Sequence, residues 1–335
     1  MSAKRPRLIL HIGTHKTGTS AIQRALESAR QSLLQEGLLY PATRRPPWPD
    51  LPKHCSVFQA ATSADPAQQL LELDMLRREF DASAASDMLI SDEGLSEPDD
   101  RIVRFFAPLT QRFDVQVLCF LRRQDLFVES LFNQFVREPA RREPRPLLTF
   151  SRAPGTRARL DYHAMLVRWA ALPARVTAID FDGAMRGSTL KAVISHAIGY
   201  PSLNLPIERD NPSPDMRLAL LMNRMNRQRI PYDPLTLIQA AHSLTQSGLA
   251  PLRHILGSDE RRRLLAECEA GNQRLAADFG VQFSKDLPAH EPFCATEDLD
   301  GGFTLQLLGG LSQPRTTTPV LQPAPPRTRD SVTEG

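Results

Sequence analysis

Cysteine is scarce in this chain, and its scarcity argues against two classes of protein. The 335 residues include four cysteines, which lie far apart at Cys55, Cys119, Cys268 and Cys294. They show neither the density of a disulfide scaffold nor the close spacing of zinc ligands. We therefore expect a cytoplasmic protein, kept in a reducing compartment, with no metal site.

Long apolar runs are also missing, and so is a strong charge of either sign. No segment approaches the roughly 18 uninterrupted apolar residues of a membrane helix. The first apolar stretch ends at Gly13, which is too early for a signal peptide. A net charge of +3 is too small to indicate nucleic-acid binding. We expect neither an integral membrane segment nor a nucleic-acid partner.

What the chain does contain is an alternation of short apolar runs and segments of helical periodicity. The runs predict strands at 8–12, 88–90, 115–121 and 175–181. Helical patterns lie between them, and a mostly helical, arginine-rich region follows at 214–285. This order predicts an α/β fold with a mainly parallel sheet, helices on both faces and a helical C-terminal subregion. Ligands then bind at the carboxyl ends of the strands.

Composition divides the chain into one domain and a tail. We predict a single α/β domain over 1–290 and a disordered tail over 291–335, where proline and threonine are frequent and periodicity is lost. Within the domain, the Pro/Arg-rich segment 38–54 is predicted to be a long surface loop, and the segment 138–159 a loop or lid.

The segment 13–20, Gly-Thr-His-Lys-Thr-Gly-Thr-Ser, lies between the first strand and a helix. In that position backbone N–H groups and the helix N-terminus can bind a phosphate. In the nucleoside-triphosphate loop a lysine follows the second glycine. Here Thr19 follows Gly18, and the lysine, Lys16, lies inside the loop.

This displaced lysine resembles the 5′-phosphosulfate loop of bacterial sulfotransferase-like proteins, whose core is K-x-G-T-[ST]. The match is Lys16 to Ser20. The resemblance implies a P-loop-type nucleotide-binding fold, 3′-phosphoadenosine 5′-phosphosulfate (PAPS) as sulfuryl donor and 3′,5′-diphosphoadenosine (PAP) as product. It assigns phosphate and sulfate binding to the loop residues His15, Lys16, Thr17, Gly18, Thr19 and Ser20, with Lys16 at the bridging oxygen.

A second element matches the same family. Its 3′-phosphate site has an arginine at a strand end and a serine eight positions later on the next helix, and Arg122 and Ser130 have that spacing. A guanidinium and a hydroxyl can converge on one phosphate. Because Arg123 follows Arg122 directly, the sequence leaves the choice between the two arginines open. Looser similarities extend over roughly 7–285.

The resemblance implies sulfuryl transfer to a hydroxyl or amine of a small-molecule or glycan acceptor, without a metal. Lys16 would stabilise charge on the leaving phosphate. Two residues are candidate bases for the acceptor proton. Glu93 follows the strand at 88–90, and His54 titrates near neutrality and could instead bind the acceptor. We favour Glu93.

Two other functions remain open. Asp92 and Glu93 end an apolar strand as the acidic residues of P-loop kinases and ATPases do, although no lysine follows Gly18. A catalytically inactive nucleotide-binding relative is the non-enzymatic alternative. Magnesium-dependent binding of ATP would indicate the first, and binding without turnover the second.

Overall fold

The computed structural model of the protein describes residues 5–42, 52–207, 215–246 and 252–286. The tail predicted for 291–335 lies outside the described residues, as does the end of the predicted domain at 287–290. No helix in the described ranges is long and apolar enough to cross a membrane.

The core of the fold is a five-stranded sheet in which every neighbouring pair of strands is parallel. The strands are β1 (Arg7–His11), β2 (Leu38–Leu39), β3 (Asp87–Ser91), β4 (Asp114–Leu121) and β5 (Ala174–Asp180). Their spatial order is β2-β3-β1-β4-β5, so β1 is the central strand. Because β3 and β4 lie on either side of β1, the segments that follow these three strands meet at one edge of the sheet.

Helices connect and cover the strands. In chain order they are α1 (Thr19–Ser28), α2 (Arg30–Gln35), α3 (Cys55–Thr62), α4 (Pro66–Asp81), α5 (Asp100–Phe106), α6 (Gln124–Arg137), α7 (Leu147–Arg152), α8 (Pro154–Leu160), α9 (Tyr162–Ala170), α10 (Phe181–Gly187), α11 (Leu190–Ala197), α12 (Met216–Gln228), α13 (Pro234–Gln246) and α14 (Ser258–Phe279). Short 3-10 helices lie at Glu93–Ser96 and Ala107–Gln111.

Both faces of the sheet are covered, because successive side chains of a strand point in opposite directions. Leu8 and Leu10 of β1 belong to a buried cluster with α3, α4, α5 and α9. Ile9 belongs to a second cluster with α1, α2 and α11. A third buried cluster joins α6, α7 and α8 to the C-terminal helices α12, α13 and α14. The predicted α/β fold class, with its parallel sheet and helical C-terminal subregion, is confirmed.

Two predicted loops contain regular structure. Leu38 and Leu39 pair with β3 as an edge strand, and α3 begins directly after His54; the residues 43–51 between them lie outside the described ranges. The segment 138–159 was predicted wrongly as a loop, since α7 and nearly all of α8 lie in it. Phe150 of α7 packs on Phe132 and Phe135 of α6, and this packing stabilises helices too short to show periodicity.

Candidate functional site

The connection between β1 and α1 is a tight turn whose backbone is partly left-handed. Gly13, Lys16 and Gly18 have φ values of +92°, +67° and +75°. A left-handed backbone is unstrained for glycine but costs other residues about 1–2 kcal/mol. Lys16 therefore holds a strained conformation inside the turn, a feature that is concentrated at binding and catalytic sites.

The two glycines of the turn also allow a close approach of other segments. A Cβ atom on Gly13 would lie 2.9 Å from Cβ of Glu93, and one on Gly18 would lie 2.9 Å from Cδ2 of Leu190. A side chain at Gly13 would collide with Glu93 close to its backbone, whereas one at Gly18 would displace the end of the Leu190 side chain. The turn thus packs directly against Glu93, two residues after the end of β3.

One hydroxyl group links the turn to β4, and a second forms a hydrogen bond within the turn. The Thr14 hydroxyl donates to the carbonyl of Phe120 at 3.1 Å, and the Thr17 hydroxyl donates to the carbonyl of Thr14 at 2.7 Å. The Thr17 hydroxyl is therefore used inside the turn. Thr19 and Ser20 begin α1, where the first N–H groups have no intrahelical acceptor and carry partial positive charge.

Positive charge collects around the turn. The pKa of Lys16 is lowered to about 8, mainly by burial and in addition by the nearby cations Arg137 and Arg122, while Glu93 acts in the opposite direction. An anion bound among these three cations would relieve their repulsion and raise the pKa of Lys16.

Arg122 and Arg123 follow β4 but have different surroundings. Arg123 is buried and donates to Asp125 at 2.7 Å and to the carbonyl of Ser284 at 2.8 Å. Arg122 extends to the turn, where its Nη1 donates to the carbonyl of Lys16 at 3.5 Å. The structure thus separates the two arginines: Arg123 holds the C-terminal segment, and Arg122 reaches the turn.

Arg122 lies beside Asp182, but this ion pair leaves its Nε without a hydrogen bond. Its Nε lies 3.3 Å from a carboxylate oxygen of Asp182, which is an ion-pair distance. The geometry makes no hydrogen bond, however, and Nε of Arg122 and Oδ2 of Asp182 are buried atoms without a hydrogen-bond partner. Buried donors of this kind are uncommon and are satisfied when a ligand or water binds.

Ser130 is half-buried on α6, two turns after the helix begins. A buried ionic cluster fixes this helix: the guanidinium of Arg261 on α14 donates to Asp125 at 2.7 Å and to both oxygens of Glu129 at 2.8 Å. Asp125 and Glu129 precede Ser130 on α6, so the cluster holds this helix in place.

Glu93 lies against the turn with both carboxylate oxygens engaged. Oε1 accepts from the Lys53 ammonium at 2.8 Å, and Oε2 accepts from the Gln23 amide at 3.1 Å. Burial by itself would raise the pKa of Glu93, but the charges of Lys53 and His15 and the Lys53 hydrogen bond lower it to about 2. The carboxylate is ionised and held in a fixed orientation.

His54 is fully buried where α3 begins. Its Nδ1 accepts from the N–H of Ser91 at 3.1 Å, and its Nε2 lies 3.1 Å from the carbonyl of Pro41. Tyr40 packs edge-on against the ring. A ring protonated at Nε2 satisfies both backbone groups, so His54 joins the end of β3 to the segment after β2. Its role as base or acceptor ligand stays a prediction.

His15 forms part of the wall of the turn. Its Nε2 lies 3.3 Å from Oε1 of Glu97, and the same carboxylate oxygen accepts from Nε of Arg159 at 3.0 Å. This contact ties the turn to α8. Of the predicted residues, His15 to Ser20 form the turn and the start of α1, Glu93 lies against Gly13, and Arg122 donates to Lys16. His54 bonds to Ser91 and Pro41 instead, and Ser130 lies on α6.

A cleft of about 390 Å³ lies beside Arg122. Its walls include Arg122, Asp182, Arg186, His254 and Phe283, so it offers charged groups and an aromatic ring. Its volume is that of a small-molecule site. A larger groove of about 720 Å³ runs along α11, with Arg7 and Arg175 in its walls, and none of the predicted site residues lines it.

Three residues around the turn were missed in the sequence. Gln23 and Lys53 contact Glu93 from other segments, and no spacing in the sequence signals a contact of that kind. Arg137 could have been found, because it follows Ser130 by seven positions on one helix and such residues share a face.

Comparisons with known proteins find similarity among solved structures. No family model matches the chain, and no curated protein matches it. Among solved structures, it is similar to a sulfotransferase from Alicyclobacillus acidocaldarius at 16% sequence identity and a TM-score of 0.44. The similarity covers 84% of this chain and 98% of that one.

Proposed function

We propose that this protein is a sulfotransferase that uses PAPS to sulfate a hydroxyl or amine of a small-molecule or glycan acceptor. One observation carries the proposal. Two phosphate-binding motifs that are distant in sequence meet, since the Arg122 guanidinium donates to the carbonyl of Lys16. Because the motifs match the same family independently, their meeting at one turn supports a common ligand.

The residues present fit an anionic nucleotide. The buried Nε of Arg122 has no hydrogen-bond partner, and its Nη1 donates to the carbonyl of Lys16, a cation that lies just before α1. Phosphate groups satisfy both features, because they supply acceptor oxygens and negative charge. In the proposal the turn binds the 5′ end, and Arg122 with Ser130 binds the 3′-phosphate.

PAPS supplies the sulfuryl group, which passes to the acceptor as the bond from sulfur to the bridging phosphate oxygen breaks. Lys16 stabilises the negative charge that develops on that oxygen. The backbone N–H groups of Thr17, Gly18, Thr19 and Ser20 hold the adjoining phosphate. Arg122 orients the nucleotide through its planar guanidinium.

Glu93 is proposed to take the acceptor proton. It is ionised and adjoins the turn, with its orientation set by Lys53 and Gln23. A carboxylate with a pKa of about 2 is a weak base for a free alcohol. Its contribution comes late in the transfer, when bonding to sulfur has made the acceptor proton acidic.

A transfer assay tests the proposal. The protein is incubated with sulfur-labelled PAPS and with glycans and small metabolites extracted from cells, and labelled products are separated. We expect label in at least one acceptor fraction and none with Lys16→Ala. An exposed-site variant, Arg104→Ala on α5, controls for loss of charge. Binding of PAP without transfer to any fraction would instead support a catalytically inactive relative.

The kinase alternative gives a different result. The acidic residues that would hold magnesium are paired with Lys53, whose ammonium lies 3.8 Å from Asp92 and 2.8 Å from Glu93. Labelled phosphate appearing in an acceptor from ATP and magnesium, with no transfer from PAPS, would overturn the proposal.

A further inference from the structure

Arg122 and Asp182 form an ion pair in which each partner keeps an unused hydrogen-bonding atom. Nε of Arg122 lies 3.3 Å from Oδ1 of Asp182, but no hydrogen bond joins them. Nε of Arg122 and Oδ2 of Asp182 are both buried without a hydrogen-bond partner. The pair therefore presents one unused donor and one unused acceptor close together.

The sheet brings these two side chains together. Arg122 directly follows β4, and Asp182 lies in the first turn of α10, directly after β5. The two strands are parallel neighbours, with Leu121 of β4 opposite Asp180 of β5. The residues that follow their carboxyl ends therefore lie side by side, at the edge where a parallel sheet binds its ligands.

Both side chains line the cleft of about 390 Å³. The exposed fraction is 25% for the Arg122 side chain and 24% for that of Asp182, so a ligand in the cleft can contact both. The terminal torsion of an aspartate side chain has no sharp minima. A turn of the Asp182 carboxylate about this torsion can therefore bring Oδ2 to the cleft without a change in the backbone.

Other charged groups of the cleft do not satisfy Asp182. Arg123 donates to Asp125 and to the carbonyl of Ser284. Asp180 is a second carboxylate in the wall, and its pKa is raised by burial and also by the negative charge of Asp182. Among the residues that the structure describes, none donates a hydrogen bond to Oδ2 of Asp182. A ligand anion that binds Arg122 would leave Asp182 without compensation.

The nucleotide of the proposed function carries a group that compensates Asp182. Its 3′-phosphate binds Arg122, and a phosphate cannot satisfy a carboxylate, because both groups accept hydrogen bonds. The ribose has a 2′-hydroxyl on the carbon next to the one that bears the 3′-phosphate. A hydroxyl can donate a hydrogen bond, so the donor that Asp182 lacks lies next to the phosphate that Arg122 binds.

We propose that Asp182 accepts a hydrogen bond from the 2′-hydroxyl of the nucleotide, and that it thereby selects a ribonucleotide over the 2′-deoxy form. This inference rests on the proposed sulfotransferase function, which supplies the phosphate at Arg122. A site built to bind a hydroxyl discriminates strongly against a ligand that lacks it, because the buried partner is then left unpaired.

Two nucleotides that differ in one hydroxyl test the inference. PAP and 2′-deoxyadenosine 3′,5′-bisphosphate (deoxy-PAP) are titrated calorimetrically into the full-length protein in a metal chelator. We expect PAP to bind about 10- to 100-fold more tightly, as for one hydrogen bond to a charged group. Equal affinities in the native protein would overturn the inference and leave the proposed function in place.

Variants assign the preference to Asp182. Asp182→Ala should bind the two nucleotides with similar affinity, and Asp182→Asn should keep a reduced preference, because an amide oxygen still accepts but carries no charge. Retained binding of deoxy-PAP shows that both variants are folded. The control is Asp81→Ala, which removes a carboxylate from an exposed ion pair with Arg112 and should keep the native preference.

The other outcomes are distinguishable. If Asp182→Ala binds PAP and deoxy-PAP more tightly by the same factor, Asp182 only competes with the 3′-phosphate for Arg122, and the inference is wrong. An unchanged preference in Asp182→Ala would also overturn it, since another residue would then bind the hydroxyl. Failure of both nucleotides to bind the native protein would overturn the proposed function together with the inference.

Discussion

The ammonium of Lys53 lies 2.8 Å from Oε1 of Glu93, and this contact keeps the carboxylate ionised. Lys53 comes from the segment before α3, and Glu93 begins the 3-10 helix after β3. The pairing brings the Lys53 ammonium, from the segment before α3, to the carboxyl end of β3. It makes Glu93 a fixed acceptor of hydrogen bonds beside the phosphate-binding turn.

Replacing Glu93 by glutamine tests its proposed role as base. Glu93→Gln keeps the shape of the side chain and removes the proton acceptor, so kcat should fall about 10²–10⁴-fold with little change in PAP affinity. The assay is steady-state transfer to an acceptor found with labelled PAPS.

His54→Ala is the matched comparison. It leaves the N–H of Ser91 and the carbonyl of Pro41 without a partner, and should lower the free energy of unfolding by about 1–3 kcal/mol. Near-normal turnover of Glu93→Gln together with an inactive but folded His54→Ala protein would transfer the role of base to His54.

Removing the charge of Lys53 should change the pH dependence of the reaction. In the native protein Glu93 has a pKa of about 2, so it stays ionised across any practical assay range and gives kcat/KM no acidic limb. In Lys53→Met burial is no longer opposed by that cation, and the pKa of Glu93 rises. Activity should then decline as pH falls, because the base becomes protonated. Lys53→Arg keeps the charge and should keep the native pH profile of kcat/KM. Superimposable pH profiles for Lys53→Met and the native protein would count against Glu93 as base.

Lys16 should set the alkaline limit of activity. Burial holds its pKa at about 8, so the ammonium is present below that pH and is lost above it. We expect kcat/KM to fall above about pH 8. The decline of kcat should come at higher pH, because the anions of the bound donor favour the ammonium. Lys16→Arg stays protonated, so any residual activity should lack this limb; an unchanged alkaline limb in that variant would assign it to another group.

Replacing Arg122 should reduce the preference for the 3′-phosphate, whereas replacing Arg123 should reduce the stability of the fold. Arg122→Ala should reduce the preference for PAP over adenosine 5′-monophosphate by about 1.5–3 kcal/mol, and Ser130→Ala should reduce it less. Arg123→Ala should lower stability, because it removes contacts to Asp125 and Ser284, and should leave the preference unchanged. Binding titrations with both nucleotides measure the preference, and denaturant unfolding measures the stability. Equal losses of affinity for both nucleotides in Arg122→Ala would mean that Arg122 does not bind the 3′-phosphate.

Local patterns were sufficient to predict the frame of the site. The apolar run of β1, the glycines of the turn and the periodicity of α1 are adjacent in sequence, and the structure has them as predicted. The parallel order of strands follows from helices alternating with them. Arg122 and Arg123 could both be named, but their different surroundings could not be predicted, because they depend on the C-terminal segment to which Arg123 donates.

Contacts between distant segments could not be predicted. His54 looked like a surface histidine in a Pro-rich stretch, yet it is buried because Ser91 and Pro41 supply backbone partners. The helices α7 and α8 are stabilised by packing on α6 rather than by their own sequence. The same limit applies to Glu93, whose pKa depends on a lysine forty positions away in the chain.

The most direct test of the sulfotransferase proposal is nucleotide binding by the purified protein in the presence of a metal chelator. Calorimetric titrations compare PAP in the chelator with ATP in magnesium. We predict that PAP binds without metal, more tightly than ATP, and that Arg122→Ala weakens this binding. No detectable binding of PAP, together with magnesium-dependent binding of ATP, would contradict the account.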